Sequence, residues 1–205
     1  MSKYTIKDLA HLRSVIGEKI PGLEDKNLRA IDNFASAFIA EAPFIVISTA
    51  DQHGRMDASP KGDAPGFVKV IDQQTLLIPD RPGNKLAYGH ENILANSHIG
   101  VLFFIPNTSE TLRINGRAEL TCDPDILAQL AARDKPATLA IRVFVEECFF
   151  HCGKSMLRSN LWQPASWPEK HKVSFGQMYA ARNKADESVV AAVDEMIAAD
   201  YENNL

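Results

Sequence analysis

The sequence predicts a mainly β fold with flanking helices, in which six or seven antiparallel strands curl into a closed barrel. Three observations carry that expectation. A β-rich run at 44–50 and strand segments at 55–60, 66–71 and 75–79 follow one another through turns and a polar loop, as in neighbouring hairpins. Residues 111–121 and 137–150 alternate apolar and polar side chains, the period of a strand with two different faces. Helical periodicity is confined to the two ends and to brief connections, which excludes the βαβ alternation of a doubly wound sheet. Several strands are apolar on both faces, as in a small barrel packed against helices.

The 205 residues suit one domain. It divides into N-terminal helices over 1–41, a barrel core over 42–151, and a C-terminal segment and helix over 152–205. A net charge of −4 does not suggest non-specific nucleic-acid binding. No apolar run approaches the roughly 20 residues of a membrane span. The N-terminus, MSKYTIKDLA, has no apolar signal core, and the three cysteines make no disulfide framework. A cytoplasmic protein with reduced thiols is expected. Cys148, His151 and Cys152 lie close together, but there is no second ligand cluster and no CxxC, so no metal site is expected.

In chain order, residues 6–16 read as a helix with Leu9, Leu12, Val15 and Ile16 on one side. Asp25 is placed to cap a second helix to residue 41, striped by Leu28, Ile31, Phe34, Ala35 and Phe38. Pro43 stops it. FIVISTA, 44–50, reads as a strand buried on both faces, and 51–54 as its hairpin turn. Strands over 55–60, 66–71 and 75–79 follow, with a polar loop over 61–65. A helix over 86–94 leads to a buried strand at 99–106. In the alternating strand 111–121, Gly116 marks a bulge or a close approach. A short helix from Asp123-Pro124 precedes the long strand 137–150, which ends at His151. Residues 153–160 read as a helical turn or two, 165–173 as an irregular loop, and 185–201 as a closing helix.

The stretch from Ile78 to Lys85, IPDRPGNK, is a strand end, a tight loop and a helix start. First-turn N–H groups lack internal partners and sit at the positive end of the helix dipole. With Arg81 and Lys85 nearby, that combination suits a phosphate. Gly83 permits close backbone approach, and Asn84 is a plausible N-cap. The same residues also fit an ordinary capped loop with solvated charges.

Four stretches together define a resemblance. SPKGD at 59–63, IPDRPGNK at 78–85, TLRINGRA at 111–118, and HCGK at 151–154 with RSNLW at 158–162 are similar, in order and spacing, to the pyridoxamine 5′-phosphate oxidase-related flavoproteins. The chain looks closest to their branch with SPKGD and IPDRPGN motifs, over residues 34–164.

The resemblance implies a split β-barrel, a homodimer, FMN in clefts at the dimer interface, and a small-molecule substrate. It puts Arg81, Asn84 and Lys85 at the phosphate, with Pro79 among the cofactor-binding residues. It puts Ser59, Pro60, Lys61 and Gly62 at the flavin ring, where Lys61 would polarise the N1–O2 side, unless Lys61 and Asp63 simply pair. Arg113 and Asn115 either reach the flavin across the interface or form a solvated row. Asn92 either holds the flavin loop or caps local backbone. Lys154, Arg158 and Trp162 match late contacts to the partner's flavin, and Trp162 equally suits an anchor for the C-terminal segment. His151 suits a structural role better than a catalytic one.

The implied activity is FMN-dependent oxidoreduction, with the flavin carrying the chemistry and no obligatory protein acid or base. The alternative is non-enzymatic binding or sensing of flavin, haem or the deazaflavin F420. One departure stands out. The arginine-rich C-terminal segment of authentic pyridoxamine phosphate oxidases is absent, which speaks against vitamin B6 oxidation.

Overall fold

The structure is a computed structural model that describes residues 4–83 and 85–203. The proposed cap Asn84 lies outside the described residues.

Seven strands form one antiparallel sheet: β1 (Phe44–Ala50), β2 (Met56–Gly62), β3 (Lys69–Asp72), β4 (Thr75–Asp80), β5 (His98–Phe104), β6 (Thr111–Thr121) and β7 (Leu139–His151). Their spatial order is β2-β1-β5-β6-β7-β4-β3. Every pairing is antiparallel. The sheet curls but does not close: β2 and β3 are its edges, so a closed barrel is corrected to a split one. Pro60 on β2 has no N–H to offer a further strand.

Register explains what faces inward. Ile45, Phe103 and Leu112 are mutual partners across β1, β5 and β6, and so are Ile47, Val101 and Ile114. All six are buried and fill the core with Leu76, Ile78, Ile141 and Val143. The opposite set, Val46, Leu102 and Arg113, and then Ser48, Gly100 and Asn115, forms an outer face. FIVISTA is therefore buried on one face and half-buried on the other, not buried on both. β4 is the strand covered twice. Leu76 and Ile78 face the core, while Leu77 packs with Leu130, Ala137 and Ala140 beside helix α4 (Pro124–Gln129).

Gly116 is where the long β6–β7 ribbon bends. The register shifts between Asn115 and Gly116. A Cβ on Gly116 would lie 2.0 Å from the Phe144 carbonyl oxygen, so both anticipated roles, bulge and close approach, coincide there.

The helices differ more from expectation. Helix α1 (Leu9–Ile16) is capped by Asp8 and buries none of its residues. The predicted helix from Asp25 is broken. Leu23–Lys26 is a 3₁₀ turn, Leu28 exchanges two backbone hydrogen bonds with Cys148, and helix α2 (Asn33–Glu41) starts at an Asp32 cap. Pairing with β7 outweighs helical propensity at Leu28. Phe34 is consequently solvent-exposed, while Ala35 and Ile39 face the core.

Helix α3 (Tyr88–Ala95) begins two residues later than predicted, because Ala87 is left-handed. Helix α5 (Lys154–Ser159) is the expected short one. Between the expected irregular loop and the closing helix lies a helix with no counterpart in the expectation, α6 (Phe175–Asn183), packed on α7 (Ser188–Asn203). Gly176 allows this contact, since a Cβ would lie 2.1 Å from the Val190 carbonyl oxygen. No helix among the described residues is long and apolar enough to cross a membrane.

Candidate functional site

Edge strand β2 continues past the predicted loop boundary to Gly62. Its alternation turns Asp57, Ser59 and Lys61 toward the side of Ile47 and Ile45, and Met56, Ala58 and Pro60 outward. Opposite, β4 ends at Asp80 and the chain turns through Arg81, Pro82 and Gly83 toward Lys85 and α3. Between them is a cleft of about 530 Å³, within the usual size of a small-ligand site. Ser59, Lys61, Arg81, Lys85, Tyr88 and His90 are among the residues on its walls. A smaller annex of about 290 Å³, lined by Gly62, Asp63, Pro79 and Arg81, adjoins it.

The charges are arranged across the seam. Lys61 Nζ donates to Asp80 Oδ1, and Arg81 Nε donates to Asp63 Oδ2 at 2.9 Å. The carboxylate of Lys61 is thus Asp80, and not the sequence-adjacent Asp63. Successive residues of a strand point to opposite sides, but Lys61 and Asp63 share a side only while β2 continues. It stops at Gly62.

His90, one turn into α3, brings its Nε2 within 3.5 Å of the same Asp80 oxygen. That nitrogen is buried and without a hydrogen bond. Burial pushes the His90 pKa below the ordinary imidazole value, Asp80 opposes this, and Lys61 reinforces it. Asn92 donates to the buried Thr49 hydroxyl at 3.1 Å, tying α3 to β1. It holds the helix that follows the loop.

The structure brings Ser59, Pro60, Lys61, Arg81 and Lys85 together around the cleft and sets Gly62 and Pro79 in its annex. It does not bring the other candidates there. Arg113 sits over the Phe149 ring, 5.5 Å from its centre, and Asn115 donates to Glu147 at 2.7 Å. Trp162 Nε1 donates to the Thr108 carbonyl at 2.8 Å, anchoring the segment after α5 to the β5–β6 turn. Lys154 and Arg158 are exposed on α5. Burial, with Arg113 and Lys26 nearby, depresses the His151 pKa.

These residues belong to the far end of β7. Leu139 pairs with Asp80 at the cleft, whereas His151 pairs with Thr111 at the other end. Along 13 residues of strand, at about 3.3 Å each, the two ends are separated by on the order of 40 Å. The residues that sequence reasoning missed are Asp57, Asp80 and His90. The every-second spacing of Asp57, Ser59 and Lys61 was a readable signal. His90 had none, because its position depends on how α3 docks.

The pyridoxamine 5′-phosphate oxidase family model matches residues 31–152. The chain belongs to the pyridoxamine 5′-phosphate oxidase family. The match spans the barrel and both walls of the cleft. No curated protein sequence matches the chain.

Solved structures with a similar fold include a candidate pyridoxamine 5′-phosphate oxidase from Lactobacillus delbrueckii, 20% identical, covering 60% of this chain and 95% of that one, with a TM-score of 0.47. An FMN-binding protein from Syntrophomonas wolfei is 9% identical, covering 56% and 81%, with a TM-score of 0.44. The haem storage protein HutZ from Vibrio cholerae is 13% identical, covering 60% and 94%, with a TM-score of 0.41.

Proposed function

We propose that this family member binds FMN in the β2/β4 cleft as a homodimer and is an FMN-dependent oxidoreductase acting on a small molecule. The observation that carries the reading is the convergence of Lys61, Arg81 and Lys85 on one cleft of suitable size, from two segments that are distant in sequence. Arg81 and Lys85 would hold the phosphate, because guanidinium and ammonium donors make charge-assisted bonds to it. Lys61 would lie against the ring. FMN, when bound, supplies the electron transfer at its ring system. The chain supplies attachment, orientation and positive charge, and β2 and α3 wall the cleft.

Two features support a second copy. The outer face of β1 and β5 carries Val46, Leu102, Phe44 and Phe104, with the two rings 5.8 Å apart and Phe44 exposed. An apolar face of this kind is commonly covered by a partner. Arg113 and Asn115 lie in register beside it. They cannot reach the cleft of their own chain along the strand, so a role at the flavin requires the partner's cleft.

The vitamin B6 substrate is not part of the proposal, and the alternative of haem or F420 storage is tested alongside it. The buried His90 Nε2 is turned to Asp80, which does not present it as a haem ligand. The protein should purify yellow, release FMN identifiable by mass spectrometry, and bleach and recover with reductant and air. Oxidation of NAD(P)H or another reductant by the holoprotein would establish turnover. A colourless protein that fails to bind added FMN, or one that releases haem or F420, would sink the reading.

A further inference from the structure

Asp80 Oδ1 is one acceptor with two cationic suitors. Lys61 from β2 occupies it, and His90 Nε2 from α3 stands 3.5 Å away, a buried atom without a hydrogen bond. Both side chains are largely withdrawn from solvent, at 22% exposure for Lys61 and 16% for His90. If Lys61 turns to the flavin ring in the cleft, Asp80, 15% exposed, is left as a largely buried carboxylate without the Lys61 charge, which is costly. A protonated His90 is already positioned to replace it.

We propose that His90 is a positioning residue that takes over Asp80 when Lys61 turns to the ring of bound flavin, so that ligand binding takes up a proton. The inference rests on the proposed reading of the cleft as an FMN site with Lys61 at the ring. The proton comes from solvent and forms only the imidazole N–H bond. Burial and the Lys61 charge hold the His90 pKa below the ordinary imidazole value while Lys61 sits on Asp80, with Asp80 opposing them. Removing Lys61 from Asp80 removes one depressing influence and strengthens the raising one.

The other groups around His90 fit this scheme. Asp57 on β2 approaches the helix at Gly89, where a Cβ would lie 3.3 Å from its Oδ2. Arg81 and Lys85 on the loop are cations that the ligand itself would neutralise. Tyr88 and Glu91 lie on α3 itself. Among the described residues lining the cleft, β7 contributes Ile141, the residue before it Thr138, and β1 Ile47, none of them charged.

The sign follows. Acid favours the protonated imidazole, hence the release of Lys61 to the flavin ring, hence tighter binding of FMN. FMN affinity measured from pH 5.5 to 8 should strengthen more steeply toward acid in the native protein than in His90→Gln. The difference can reach about tenfold per pH unit for one linked proton. The comparison cancels titration of the FMN phosphate, which is common to both proteins. A second measurement needs no variant: the His90 ring proton signal in NMR should titrate at higher pH with FMN bound than without it. Equal pH slopes, or a His90 titration unmoved by bound FMN, would overturn this inference and leave FMN binding standing. No FMN binding at any pH would overturn both.

Discussion

Lys61 and Asp80 form an ion pair between strands that share no backbone hydrogen bond. Lys61 is on edge strand β2, and Asp80 ends β4, whose sheet neighbours are β7 and β3. Arg81 and Asp63 repeat the link one step along, with donor and acceptor exchanged between the two sides. Two charge pairs therefore fasten the seam of the split barrel where the cofactor is proposed to enter. The same cations serve the fold in the ligand-free protein and would serve an anion in the bound one.

Removing the loop cations should therefore weaken FMN binding. Arg81→Ala and Lys85→Ala are each expected to cost about 1.5–3 kcal/mol, or roughly tenfold to over a hundredfold in affinity. Fluorescence titration with FMN reads this directly. Unchanged affinity in both variants would place the phosphate elsewhere.

The separation of the two residue clusters along β7 predicts complementation. An Arg81→Ala chain and an Arg113→Ala chain should each bind FMN poorly alone. Co-expressed, their mixed dimer should regain one intact site, because the defects fall in the other site together. Differently tagged chains allow the mixed species to be isolated. If the mixed dimer binds no better than either parent, the site is not shared between subunits.

Gly116→Ala should be strongly destabilising. Its Cβ would collide with the Phe144 carbonyl oxygen at 2.0 Å, and backbone in the middle of the β6–β7 ribbon cannot yield cheaply. A loss of about 3 kcal/mol is expected, at the upper end for overpacking. Denaturant unfolding measures it, and a variant as stable as the native protein would show that the bulge relaxes freely.

Acid should weaken the ligand-free protein. Burial lowers the pKa of His90, and burial with Arg113 and Lys26 lowers that of His151. The unfolded chain therefore binds more protons than the folded one between the folded values and about 6.5. Stability should be full above that range and fall as pH drops through it, by at most about 1.4 kcal/mol per pH unit for each group. The more accessible His151 should contribute less. Thermal unfolding at pH 7.5 and 5.5 tests this, with His90→Gln expected to flatten the dependence.

Local pattern made much of this protein legible. The strands of the barrel, the hairpin at 51–54, the close approach at Gly116 and the family motifs follow from side-chain alternation and turn chemistry within a few residues. The cation-bearing loop was legible because Arg81, Gly83 and Lys85 mark a turn with two positive charges by residue type alone, and the phosphate is the use proposed for them. Tertiary structure decided what depends on distant partners. Leu28 left its predicted helix to bond with Cys148, and Phe34 lost its core position with it.

Lys61 found Asp80, and not its neighbour Asp63, because sheet curvature brings β2 over β4. His90 entered the site because α3 docks against β1 through Asn92 and Thr49. By itself the sequence determined the strands and the cation types. Which charges meet was left to the curl of the sheet, since ion pairs form through space between residues that sequence spacing does not relate.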